Sequence, residues 1–229
     1  MKNIQLYRKI TQILFLILLV IGVYMNAKIV IVVLLPAAFV FGNFFCGWVC
    51  PYGTTQDLFG KLGKKLFKKH YKMPKGIQKY LKYSRYVLMA ISVTGIISLF
   101  FDAINGYKTF LTIFENPIVV STALIIMVSF VIISIFFERP FCNYFCSEGV
   151  KFGVFSLTRV FSIKRNEATC VGCKKCDKAC PMNINVSIKD QIRHGQCINC
   201  FECISACPVE NTLTYGRVKL PKFKKKTNK

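Results

Sequence analysis

Acidic residues are scarce in this chain. Only 10 aspartates and glutamates stand against 32 lysines and arginines, a net charge of +22 on 229 residues. There is one tryptophan, and there are two histidines, His70 and His194. Neither histidine falls inside the four long apolar runs, which extend over about Leu6 to Tyr24, Ala27 to Phe45, Tyr83 to Phe101 and Ile118 to Phe137. A haem clamped between paired membrane histidines is therefore excluded. No acid or base stands in the middle of a run, so a charged ion or proton pathway of the usual kind is not written here. The sequence also lacks a P-loop, a Rossmann glycine run and a credible nucleophile–base pair. It has no tract rich in methionine or histidine of the kind that gathers metal.

What the chain does contain is apolar surface and basic charge together. A composition 53% hydrophobic at this net charge does not describe one soluble domain; it suggests lipid-embedded segments joined by basic loops. Nucleic-acid binding ranks far behind, because much of the basic charge sits beside apolar runs. Each run approaches the roughly 20 residues that a helix needs to cross a bilayer. The first follows Lys2, Arg8 and Lys9, as a secretory signal would, but no small-residue cleavage site follows it. Orientation comes from the basic residues: nine lie between Lys61 and Lys82 and seventeen after the fourth run. The loop 102–117 holds only Asp102, Lys108 and Glu115. This predicts an integral protein of a prokaryotic cytoplasmic membrane, with four spans and both termini in the cytoplasm. Between the second and third runs, Leu58, Phe59, Leu62, Leu66 and Phe67 fall near one helical face, with Gly60 and Gly63 weakening the helix. An interfacial helix on anionic lipid and a mere topology-fixing loop both remain open.

Twelve cysteines organise the remainder. Residues Cys170 to Pro181 and Cys197 to Pro208 each read C-x2-C-x2-C-x3-C-P, the bacterial ferredoxin run for a [4Fe–4S] cluster. Three thiols of one loop reach three corners of a cluster, and the fourth crosses to its neighbour. The expected ligand sets are Cys170, Cys173, Cys176 and Cys207 for one cluster, and Cys197, Cys200, Cys203 and Cys180 for the other. A zinc ribbon would show separated C-x2-C pairs instead. Cluster thiolates point to a reducing compartment, and any catalysis here is redox chemistry. This segment has few large apolar residues, so it is expected to need its clusters to fold.

The membrane part repeats internally. F-C-G-W-V-C-P-Y-G (45–53) aligns without gaps on F-C-N-Y-F-C-S-E-G (141–149), and Phe59 then matches Phe155. Each copy closes a helical hairpin, and both run in the same direction, so the repeat is parallel. The pairs Cys46/Cys50 and Cys142/Cys146 have i, i+4 spacing, which puts both sulfurs on one face of a continuous helix. The four are expected to meet in one iron or iron–sulfur site; four ordinary packed thiols are the alternative. Trp48, Tyr52, Tyr144 and Phe145 surround the pairs, as an interfacial belt or as walls of a quinone pocket. Tyr107, Phe110, Phe114, Glu115 and Asn116 offer a second such place. His194 reads as a surface residue.

The expected fold class is thus a membrane all-α four-helix domain of two parallel-repeated hairpins (1–160), with a small α+β two-cluster ferredoxin domain (161–220) and a basic tail (221–229). Hairpin, F-C-G-W-x-C-P, hairpin, F-C-x-Y-x-C and double ferredoxin run, in that order, resemble the NapH/NosR-like membrane ferredoxins. The resemblance implies two cytoplasmic [4Fe–4S] clusters, exchange of electrons with the quinone/quinol pool, and a redox protein partner. It implies no haem. The NosR-type flavin domain has no counterpart here, so no flavin is expected. Ser147 stands where the family has proline, which puts the turn after Cys146 in doubt. Two other readings compete: a cupric or other metal reductase serving as a maturation factor, and a redox-sensing regulator.

Overall fold

The computed structural model describes residues 3–20, 36–67, 71–93 and 122–218. The helices in chain order are α1 (Ile4–Val20), α2 (Pro51–Phe67), α3 (Lys75–Val93), α4 (Thr122–Ile133), α5 (Pro140–Tyr144), α6 (Ser147–Phe155), α7 (Lys175–Ala179) and α8 (Glu202–Ser205). A π-helical turn, Phe45–Val49, precedes α2. Strands β1 (Phe161–Arg165) and β2 (Leu213–Arg217) pair antiparallel, Phe161 opposite Arg217 and Arg165 opposite Leu213. This two-stranded sheet clasps the two ends of the double cysteine segment, and both cysteine loops hang between its strands.

Two helices have their polarity inverted, and a third exposes apolar residues. On α1, Ile10, Ile13 and Leu14 are exposed while Arg8 and Gln12 are buried. On α3, Ile77, Tyr80 and Val87 face outward and Gln78 and Arg85 inward. On α4, Ile125, Val128 and Ile132 are exposed. A helix at the surface of a water-soluble protein shows the opposite arrangement. Among the described residues no helix is long and apolar enough to cross a membrane; the four apolar runs continue into residues outside the described set. Helix α2 passes through Gly60 and Gly63 unbroken, because both lie on its buried side, while Leu58, Leu62 and Leu66 are exposed.

The cysteine-rich segment has more core than its composition predicts. Ile163, Met182, Ile184, Val186, Ile192, Ile198, Phe201 and Leu213 are buried together with Cys176, Cys180, Cys197, Cys200 and Cys203. Ile4, Phe44 and Trp48 from the N-terminal half pack against this group. The apolar deficit is made good by a neighbouring part of the chain.

Candidate redox site

The two ferredoxin runs share one backbone shape. Gly172 and Asn199, each just before the second cysteine of its run, have φ of 67° and 47°. Lys174 and Phe201, each just after it, have φ of 54° and 58° and begin α7 and α8. Left-handed geometry is costly for a side-chain-bearing residue. Its recurrence at matched positions fits a loop that must wrap an anionic cluster with its backbone N–H groups. Asp177 ties the first loop to the segment beyond Pro181: its Oδ1 accepts from the amides of Val186 at 2.5 Å and Ser187 at 2.8 Å.

The thiols fall into groups that cross between the runs. Cys203 feels the charges of Cys200, Cys197, Cys180 and Cys176, and Cys180 feels Cys200 and Cys197. Cys176 in turn feels Cys207. Burial pushes Cys180 up to about 12 and Cys176 and Cys200 up to about 11. Such thiols shed their protons when a metal takes the proton's place. Cys170 and Cys173 lie at the rim, and Cys170 is drawn below its ordinary value by the Gly172 amide and Arg165. All twelve cysteines are free of disulfides. The donor set therefore fits iron–sulfur clusters.

The C-x3-C cysteines also come together. Cys46, Cys50, Cys142 and Cys146 all line one small cavity of about 30 Å³. They do not lie along continuous helices, as i, i+4 spacing suggests. Cys46 is within the π-helical turn and Cys142 within α5, while Cys50 and Cys146 stand at the starts of α2 and α6. The chain bends between the members of each pair. Cys146 Sγ accepts the Gly149 amide at 3.3 Å, and Cys50 takes the amides of Gly53 and Tyr52. Amides at a helix start favour a thiolate. Burial opposes this and pushes Cys146 up to about 11. The turn after Cys146 matches the one after Cys50, with φ, ψ of −70°, 109° and −60°, 115°. Ser147 thus replaces Pro51 without changing the path, since the first position of a helix needs no particular side chain.

Charged residues not singled out from the sequence hold the site together. Asp57 receives Arg139 at 2.5 and 2.6 Å and pairs with Arg8, which also reaches Glu202 at 2.9 Å. Burial pushes the Asp57 carboxyl up, but Arg139 and Arg8 outweigh it and hold it down at about 2. Arg139 Nη1 donates to the Cys46 carbonyl at 2.9 Å. No periodicity marks these residues, since Arg8 and Glu202 are 194 positions apart.

Both C-x3-C motifs rest on the ferredoxin segment, the first on its second loop and the second on the end of its first run. Trp48 Nε1 donates to the Asn199 carbonyl at 3.0 Å, and Gln5 Nε2 to that of Cys200 at 2.8 Å. Asn143 Nδ2 donates to the Pro181 carbonyl at 3.1 Å. Gly47 is so close that a Cβ there would lie 2.2 Å from the Ile198 oxygen; at Gly153 it would lie 2.4 Å from that of Gly195. Trp48 is thus a hydrogen-bonded strut, and Tyr52 and Tyr144 are buried at 2% and 5% exposure. Neither tyrosine is part of an exposed belt. His194 is half-buried, and its Nδ1 accepts the Gln196 amide at 3.1 Å. Burial, with Lys189, Lys82 and Arg85 nearby, lowers it to about 4. His70 and the group from Tyr107 to Asn116 lie outside the described residues.

A fold that gathers buried thiols into ferredoxin loops defines an iron–sulfur electron-transfer protein. Comparison with known proteins gives the family. A 4Fe-4S dicluster domain model matches residues 162–208, and a 4Fe-4S binding domain model matches twice, at 24–70 and 121–165, once over each C-x3-C copy. The chain is 34% identical to an uncharacterized protein of Methanocaldococcus jannaschii, across 82% of this chain and 87% of that one. It is 31% identical to the putative electron transport protein YccM of Escherichia coli, across 85% of this chain and 57% of that one. It is 27% identical to the ferredoxin-type protein NapH of Haemophilus influenzae, across 60% and 47%. No solved structure matches. The chain belongs to the NapH/NosR-like family of iron–sulfur electron-transport proteins.

Proposed function

We propose that this chain exchanges electrons between the quinone/quinol pool of a prokaryotic cytoplasmic membrane and a redox protein partner. Cys170, Cys173, Cys176 and Cys207 hold one [4Fe–4S] cluster, and Cys197, Cys200, Cys203 and Cys180 hold the other. Cys46, Cys50, Cys142 and Cys146 hold a further iron or iron–sulfur centre. When bound, these groups supply one-electron carriers; the residues around them hold, insulate and space them. The observation that carries this reading is the docking of both C-x3-C motifs onto the ferredoxin segment, Trp48 on the Asn199 carbonyl of the second run and Asn143 on the Pro181 carbonyl at the end of the first. A site reached from lipid is thereby joined to a ferredoxin loop without intervening solvent.

The inverted helices support the membrane placement, since polar residues of lipid-embedded helices turn inward. Four spans with both termini in the cytoplasm follow from the basic-residue asymmetry. The test is anaerobic reduction of the detergent-purified chain by a water-soluble quinol analogue, followed by bleaching of the iron–sulfur absorbance. Cupric ion is then offered to the reduced protein. Bleaching by quinol, with no preferential reoxidation by copper, is expected. Inertness to quinol with rapid turnover on copper would point to a metal reductase and end the quinone reading.

A further inference from the structure

The cavity between the four C-x3-C thiols has a wall contributed by neither C-x3-C motif. Arg85 of α3 lines it and is 1% exposed. Its Nη2 lies close to α6, 3.7 and 3.6 Å from where a Cβ on Gly149 or Gly153 would stand. Nε and Nη1 are buried with no hydrogen-bond partner among the described residues. One ring contact is present, with Cζ 5.7 Å from the Tyr86 centroid. Glu148 borders the same cavity, but its Oε1 receives Lys151 at 2.7 Å.

Arginine cannot relieve such burial by losing its proton. An enclosed guanidinium without a counter-charge is costly, so its retention points to an anion within reach. The other buried arginines sharpen the contrast. Arg8 and Arg139 share Asp57. Of the fully buried arginines, only Arg85 and Arg159 lack a carboxylate partner among the described residues, and Arg159 borders the Asn199 turn of the second ferredoxin loop. Of the two, Arg85 lines the thiol cavity.

We propose that Arg85 is the counter-charge of the iron centre held by Cys46, Cys50, Cys142 and Cys146, contributed by a helix that carries neither C-x3-C motif. This rests on the reading that those thiols hold iron. Four thiolates outweigh the positive charge of the iron they bind, so the filled site is an anion. It becomes more negative when it gains an electron from a reductant. Arg85 therefore favours the reduced form and raises the midpoint potential, which makes this site a better electron acceptor. The sequence hides this residue, because α3 carries no cysteine and the pairing forms across the chain.

The test uses the full chain, purified anaerobically, as wild type, Arg85→Gln and Arg85→Lys. Iron content and a redox titration followed by electron paramagnetic resonance are the readouts. Wild type should hold iron beyond the roughly eight atoms of two cubane clusters. Arg85→Gln should lose that excess while keeping the ferredoxin signals. Alternatively it should keep the excess with its reduction equilibrium moved at least tenfold toward the oxidised form, about 59 mV for one electron. Arg85→Lys, which keeps the charge, should retain the excess iron. An Arg85→Gln protein with wild-type iron and midpoint overturns the counter-charge. So does loss of the excess in Arg85→Lys with ferredoxin signals intact, which decides the matter if the glutamine variant does not accumulate. A wild-type protein with only about eight irons instead overturns the prior reading that the four thiols hold iron.

Discussion

Asp57 shows at the residue scale how few acids this chain needs when they are well placed. It pairs two buried arginines 131 positions apart, Arg8 and Arg139. Its carboxyl is held below its unfolded value, so its stabilisation is present above about pH 4 and fades as pH falls toward about 2. The contribution is on the order of 2 kcal/mol. Asp57→Asn should lower thermal resistance in detergent at neutral pH by about 3 kcal/mol, because Arg139 loses its counter-charge. It should also remove the part of the acid loss that lies between about pH 4 and 2. A second prediction concerns the crossed ligands. Cys176→Ser and Cys207→Ser should each damage the same iron–sulfur signal in electron paramagnetic resonance, and Cys180→Ser should damage the other. If Cys176 and Cys207 proved to affect different signals, the ligand sets would be wrong.

At the scale of elements, the short turn Phe45–Val49 carries the connection between the two halves. Its glycine is not there for flexibility. Gly47 lets the backbone lie directly on Ile198, with Trp48 bonded to Asn199 one residue further on. Gly47→Ala would force the turn away from the ferredoxin loop, at a cost of about 1–3 kcal/mol. Reduction of the ferredoxin clusters by a quinol analogue should slow in this variant, while reduction by dithionite, which reaches them from water, should not. Equal slowing of both would mean that the substitution damages the ferredoxin loop itself. The bend inside each C-x3-C pair belongs to this scale too. It sets Cys50 and Cys146 at helix starts, where backbone amides meet the sulfurs.

For the whole molecule, the placement in a bilayer proposed above rests on the basic charge and the inverted helices. A single reporter cysteine at position 108, in an otherwise functional chain, should react with a membrane-impermeant thiol reagent from the extracytoplasmic side only. Labelling from the cytoplasmic side would overturn the four-span arrangement. The ferredoxin part is not a free appendage in this structure, because Ile4, Phe44 and Trp48 complete its core. A fragment beginning near residue 161 should therefore bind iron less stably than the full chain, which iron release to a chelator would measure.

The chemistry of the ligands was legible in the amino-acid order because it is local. Two-residue gaps between cysteines determine which thiols one loop can present, and the recurrence of F-C-x3-C after an interval of 96 positions, from Cys46 to Cys142, exposes the repeat without any contact being known. The crowding of lysine and arginine next to apolar runs is equally local, and it carries the expected orientation. Spacing misled where it presumed continuity: the i, i+4 cysteines are divided by helix starts, one marked by Pro51 and the other, at Ser147, by no such residue. What only the tertiary structure decided is how the parts are joined. Arg8 reaching Glu202, Trp48 reaching Asn199 and Arg85 entering a cavity lined by Cys50 and Cys146 are pairings between distant positions. They arise because charges and amides buried by packing must find partners across the chain, and packing is a property of the fold that no short stretch of sequence contains.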